Sequence, residues 1–197
     1  MLIVAIEDKL SEAVAKKVAR HVLGKDVDLR SIVGNGFGSL RRKLPSFRDA
    51  SRQYPVWLLT DLDRWPCPAA LISEWTGGIV LPATLSFRVA VREIESWLLA
   101  DRDELAEFLG VSVGKIARNP DAINDPKHYL VNLAMKGRRS IRDDIVPKKG
   151  SASSQGFGYN ERLCEFVEGV WSPGRASYRS RSLEKAMTRL SELDAMN

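Results

Sequence analysis

Leu2-Ile3-Val4-Ala5-Ile6-Glu7 stands near the start of the chain, and Val56-Trp57-Leu58-Leu59-Thr60-Asp61-Leu62-Asp63 shows the same pattern further on. Each is an apolar run too short for a helix and without polar alternation, as in a strand buried on both faces. Each ends in carboxylates. Strands of this kind belong to parallel sheets covered by helices, so the two stretches predict an α/β fold.

Working outward from them, Leu10, Val14, Val18 and Val22 recur at helical spacing after the polar turn at Glu7 and Asp8. Residues 27–33 read as a second strand. Leu40, Leu44 and Phe47 mark another helix, which Pro45 is expected to break early. Pro66 and Pro68 punctuate a turn before a short helix through Leu71 and Trp75, and residues 84–91 read as a further strand. Past residue 100 helical signals take over. Helices are expected after the acidic start at Asp101, Asp103 and Glu104 with Gly110 as the stop, after Asp125-Pro126, from a cap at Asn160 and from a cap at Ser182. Residues 148–160 are small and polar and read as a loop. The expected architecture is a Rossmann-like, mainly parallel sheet flanked by helices over residues 1–110, with a helical region over residues 111–197 packed on it.

Composition narrows the classes. The chain has 197 residues, 44% of them hydrophobic, enough to bury roughly 70% of its unfolded surface in one sizeable core. No apolar stretch approaches the about 18 residues of a membrane span, and Glu7 and Asp8 interrupt the first run too soon for a signal peptide, so a cytoplasmic location without membrane contact is expected. Cys67 and Cys164 stand alone, which argues against a disulfide framework and against the usual zinc sites. Any metal therefore sits on oxygen ligands. The net charge of +5 is compatible with a polyanionic partner without demonstrating one.

Asp61 and Asp63 are two residues apart after a strand, so continued extension would point both carboxylates to one side at the ligand-binding edge of a parallel sheet. Glu7 occupies the equivalent place after the first strand. If those two strands are neighbours, three hard oxygen ligands converge, a set suited to Mg²⁺ (or Mn²⁺). The alternative is that these acids are turn formers or helix caps, with Asp8 or Asp63 starting the next helix. Glu93 and Glu95 would share a face on a strand but diverge by about 200° on a helix, so only one is expected to reach the cleft if a helix begins there. Salt bridging to Arg88 or Arg92 is their other reading.

Basic residues gather in three places. The first holds Arg30, Arg41, Arg42, Lys43, Arg48 and Arg52 against the single acid Asp49, and follows Gly34-Asn35-Gly36-Phe37-Gly38, either a phosphate-approaching turn or an ordinary flexible one. The second holds Lys136, Arg138, Arg139, Arg142, Lys148 and Lys149, offset by Asp143 and Asp144; the third holds Arg175, Arg179 and Arg181. Three such patches beside a candidate metal site suit a phosphodiester better than a neutral metabolite. Sequence-specific DNA-binding signatures and a phosphate-binding P-loop are missing.

An apolar strand ending in Glu (LIVAIED) and a later one ending in DxD (VWLLTDLD) resemble the Toprim signature of topoisomerases, primases and nucleases of the overcoming-lysogenization-defect (OLD) group. FRVAVREIESWLLAD, residues 87–101, is similar to a segment of small stand-alone Toprim-like bacterial proteins, many of them seen near defence genes. The resemblance spans residues 1–101 and departs at Asp8, where the first motif normally has Gly. It implies a divalent-metal-dependent nuclease with Glu7, Asp61 and Asp63 on Mg²⁺ (or Mn²⁺) and Glu93 or Glu95 on a second ion, acting in phage defence. Lys127, Arg138 or Arg139 would neutralise charge on the phosphate, and Arg41, Arg42, Lys43, Arg138, Arg139, Lys148 and Lys149 would bind the nucleic acid, DNA or RNA. Two alternatives stand beside it: a noncatalytic nucleic-acid-binding protein working with a partner ATPase, and a phosphohydrolase on small nucleotides. Tyr159 is expected to stack on substrate or simply to pack.

Overall fold

The computed structural model describes residues 1–34 and 37–195; Asn35 and Gly36, the middle of the glycine-rich stretch, lie outside the described residues. Among those described, four strands form one sheet in the order β2-β1-β3-β4, every pair parallel. They are β1 (Leu2–Ile6), β2 (Leu29–Val33), β3 (Val56–Asp61) and β4 (Leu85–Ala90). The protein is thus an α/β protein with a parallel sheet flanked by helices. β1 and β3 are buried along almost their whole length because both faces are covered, as their unbroken apolar runs require.

Alternate side chains divide the core in two. Ile3, Ala5, Val56, Leu58, Phe87 and Val89 face a smaller cluster completed by α2 (Phe37–Ala50) and α3 (Pro68–Thr76). Val4, Ile6, Trp57, Leu59 and Ala90 face the larger one. That side is covered by α1 (Lys9–Leu23), α4 (Glu95–Ala100), α5 (Arg102–Leu109), α6 (Pro126–Ala134), α7 (Arg139–Ile145), α8 (Tyr159–Gly169), α9 (Pro173–Ser177) and α10 (Arg181–Asp194). The larger cluster runs from Leu2 to Leu193, so helices late in the chain share a core with the first strand.

Local signals explain most helix ends. Asp8, at φ −146°, accepts the Ser11 N–H and caps α1 from an extended backbone. Asp125 accepts the His128 N–H ahead of Pro126, and Gly110 at φ +72° ends α5. Three expectations need correction. The helix at Pro45 continues to Ala50, because the proline lies on its exposed side while Leu40, Leu44 and Phe47 bury against the sheet. Asn160 is inside α8, whose start is set by the burial of Tyr159 after Gly158. Ser180, not Ser182, caps α10; the Ser182 hydroxyl instead accepts the Trp97 indole N–H at 2.8 Å. The short helices α7 and α9 carry too few apolar positions to announce themselves in the sequence.

Candidate active site

The C-terminal ends of β1, β3 and β4 meet at one edge of the sheet, and five carboxylates collect there. Glu7 follows β1 directly, and Asp61 ends the neighbouring β3. The Glu7 carboxylate accepts the Thr60 hydroxyl and, at 3.3 Å, the Asp61 backbone N–H. Asp61 accepts the Ile94 N–H at 2.9 Å, which ties the end of β3 to the turn entering α4. Asp63 is not a continuation of the strand. Its φ of +49° is a left-handed conformation that Asp tolerates, and its N–H donates to the Arg92 carbonyl at 2.9 Å.

Glu93 and Glu95 both join the cluster, contrary to the expectation that only one would reach it. The physical reason is where the helix begins. α4 starts at Glu95, so Glu93 lies in the preceding turn and the helical divergence never applies. Glu93 accepts the Lys127 backbone N–H at 2.9 Å, and buried Glu95 accepts the Tyr159 hydroxyl at 2.8 Å with the Lys127 ammonium 3.6 Å away. Neither pairs with Arg88 or Arg92: the Arg92 guanidinium donates to the carbonyls of Asp63 and Trp65. The second Glu95 carboxylate oxygen is buried with no hydrogen-bond partner.

These acids share too little positive charge. Burial raises the Asp61 pKa well above the usual carboxylate range, and Glu95, Glu7, Asp63 and Asp8 push it further. Burial also raises Glu7, against the opposing hydrogen bonds from Thr60 and Asp61, and raises Glu95 against the pull of Lys127 and Tyr159. Glu93 is pushed up to about 7 by burial and by Glu95. Asp63 is raised by partial burial, with Lys127 and Arg64 opposing. Burial alone would lower Lys127, yet Glu95, Glu93, Asp61 and Asp8 hold its ammonium above the ordinary lysine value. Tyr159, buried beside Glu95, is held as a neutral phenol. An open cavity of about 800 Å³ borders the cluster, lined by Asp63, Arg64, Trp65, Glu93 and Asp125. Another cavity, about 910 Å³, is elsewhere, between α1 and the connection from α8 to α9, and has no carboxylate of the cluster in its wall.

Among the described residues no group of three acids, histidines or cysteines is placed to hold a metal ion. The carboxylates are hard oxygen donors all the same, and one buried oxygen lacks a partner. That arrangement fits a Mg²⁺-like ion that keeps most of its waters and touches few protein oxygens.

The basic residues are placed less uniformly than their sequence clustering suggests. Arg41, Arg42 and Lys43 are exposed on α2, and Arg41 pairs with Glu74 at 2.8 Å. Arg138 lies against Gly110, where a β-carbon would fall 2.3 Å from its Cγ, and Arg139 pairs with Asp143 at 3.4 Å. Lys148 and Lys149 are exposed beyond α7. α2 and α7 belong to opposite faces of the sheet, so the first two patches are two surfaces and not one. In the third patch, Arg175 is held bidentately by buried Asp101 at 2.9 Å, and Arg179 sits 3.9 Å from Asp103. Those two arginines fasten α9 and the turn after it to the start of α5. Thr60 and the buried role of Tyr159 escaped the sequence, because both act through partners more than 50 residues away.

A scan against protein-family profiles, a search of curated proteins and a search of solved structures each found no match. The chemistry of the site is what speaks for its function.

Proposed function

We propose that the protein is a divalent-metal-dependent nuclease of the Toprim type, with the carboxylates at the C-terminal edge of the sheet as its active site. One observation carries the reading: five acids, Glu7, Asp61, Asp63, Glu93 and Glu95, are raised together around the half-buried Lys127 ammonium, with one Glu95 oxygen unpartnered. A fold keeps such a cluster at a cost, and a hard cation offsets it. Glu7, Asp61 and Asp63 would hold Mg²⁺ (or Mn²⁺), and Glu93 and Glu95 a second ion. The chemistry such ions supply is polarisation of the scissile phosphate and activation of water.

The protein's own groups divide the remaining work. Thr60 and the Asp61 N–H orient the Glu7 carboxylate, and the Ile94 N–H orients Asp61. Tyr159 fixes one oxygen of Glu95. Lys127 stays protonated among the acids and is the cation placed to meet a phosphate oxygen as charge develops on it. Arg41, Arg42 and Lys43 on one side, and Arg138, Arg139, Lys148 and Lys149 on the other, are backbone contacts for DNA or RNA.

The test is cleavage of single-stranded and duplex DNA and RNA with Mg²⁺ or Mn²⁺ and with EDTA. Metal-dependent cleavage that EDTA abolishes is expected. Inactivity towards all four substrates, together with retained binding, would favour the noncatalytic protein with a partner ATPase.

A further inference from the structure

α10 runs beside β4, the edge strand of the described sheet, in the opposite direction. Ser182 in its first turn accepts the Val91 N–H just past β4, while Arg189 borders a cavity with Leu85 and Ser86 at the other end of the strand. Arg181, Lys185 and Arg189 recur every fourth residue and are all exposed, so they form one flank of the helix about 12 Å long. Arg88 comes from β4 between Phe87 and Val89, which face the opposite side of the sheet. Its guanidinium is half-buried near Arg189 and Glu192, and its Nε is buried without a hydrogen-bond partner. Cavities of about 250 and 510 Å³ both have Arg88 in their walls.

The acids bordering this groove are already engaged. Asp121 accepts the Ser180 hydroxyl at 2.8 Å and the Ser182 N–H at 3.0 Å, and Glu192 accepts from Arg189 at 2.5 Å. Arg88, Arg181 and Lys185 therefore present net positive charge, which suits anionic oxygens in the groove. All three border the cavity of about 250 Å³, and Arg88 also borders the one of about 510 Å³ further along the strand, so a chain carrying successive phosphates can follow the groove past them. The groove also leads towards the acidic cluster, because Arg92, two residues past β4, donates to the Asp63 and Trp65 carbonyls at its rim.

We propose that the groove between β4 and α10 is a track for the phosphodiester backbone of a single nucleic-acid strand leading into the acidic site, with Arg88, Arg181 and Lys185 as its contacts. The acidic site as destination rests on the nuclease reading above. The test separates the two by measuring binding in EDTA, where no cleavage is required. A fluorescent single-stranded DNA 12-mer and RNA 12-mer are titrated across a salt series with the wild type, with Arg181→Gln/Lys185→Gln and with Arg88→Gln; a mononucleotide serves as competitor. The double variant, altered only on the exposed helix flank, is expected to flatten the slope of log K against log salt by about 1.4, two single-strand contacts at about 0.7 each. Arg88→Gln should weaken binding in the same direction, and the mononucleotide should compete poorly. A wild-type slope in the double variant, no 12-mer binding by the wild type, or competition by the mononucleotide as strong as by the 12-mer would each overturn the track. Loss of slope in a protein that cleaves nothing would leave the track standing and remove the nuclease reading.

Discussion

Glu7 and Asp61 stand at the ends of adjacent parallel strands, and the Glu7 carboxylate accepts the backbone N–H of Asp61 at 3.3 Å. The second acid is thus held in place partly by the first, although each is also raised in pKa within the same cluster. A contact of this kind orients two like charges without neutralising either. Its energetic consequences are measurable.

Asp61→Asn removes a buried charge while keeping a side-chain oxygen able to accept the Ile94 N–H. The variant is expected to fold and to be more stable than the wild type at pH 8 in EDTA, because the repulsion from Glu95 and Glu7 is gone. Metal-dependent cleavage should fall about a thousandfold, the equivalent of several kcal/mol of lost transition-state stabilisation. Unchanged cleavage by a folded variant would remove Asp61 from the site. Thermal melts and single-turnover cleavage read the two effects separately.

Stability should fall as pH rises through the acid range. Glu93 titrates near 7 in the folded chain, above its ordinary value of 4.5, so between those limits the folded state binds more protons than the unfolded state. The stabilisation from its protonated form is complete below pH 4.5 and lost as pH rises through about 7. Glu93→Gln should flatten the decline in that window, measured by urea denaturation in EDTA. A decline of the same steepness in the variant would contradict the shift.

Mg²⁺ should reverse that trend. A cation competing with protons for the same carboxylates binds better as they ionise, so added Mg²⁺ is expected to raise Tm more at pH 8 than at pH 5. The increase should grow with metal concentration and vanish in Asp61→Asn. Equal shifts at both pH values would point to nonspecific screening instead.

Tyr159→Phe deletes the Tyr159 hydroxyl that donates to Glu95 and leaves both carboxylate oxygens of that buried acid poorly served. A destabilisation of about 2 kcal/mol is expected at pH 8 and less at pH 5, because burial raises the Glu95 pKa and falling pH favours the neutral acid, which depends less on the donor. Chemical denaturation at the two pH values checks it. An identical loss at both would mean that the hydroxyl matters only for packing.

Local chemistry made much of this protein legible in advance. The unbroken apolar runs at residues 2–6 and 56–60 declared strands covered on both faces, and Asp125-Pro126 and Gly110 declared helix ends, because those signals depend on a residue and its immediate neighbours. The carboxylates Glu7, Asp61 and Asp63 could be named from their places after such strands. Only the tertiary structure decided that β1 and β3 are neighbours, that Glu93 and Glu95 both turn inward, and that Tyr159 and Lys127 reach Glu95. It likewise separated Arg175, held by Asp101, from Arg88, whose Nε has no acceptor. Strand order and the desolvation of a charge depend on contacts between residues about 30 to 70 positions apart, and no local pattern of side chains records which of those contacts the folded chain makes.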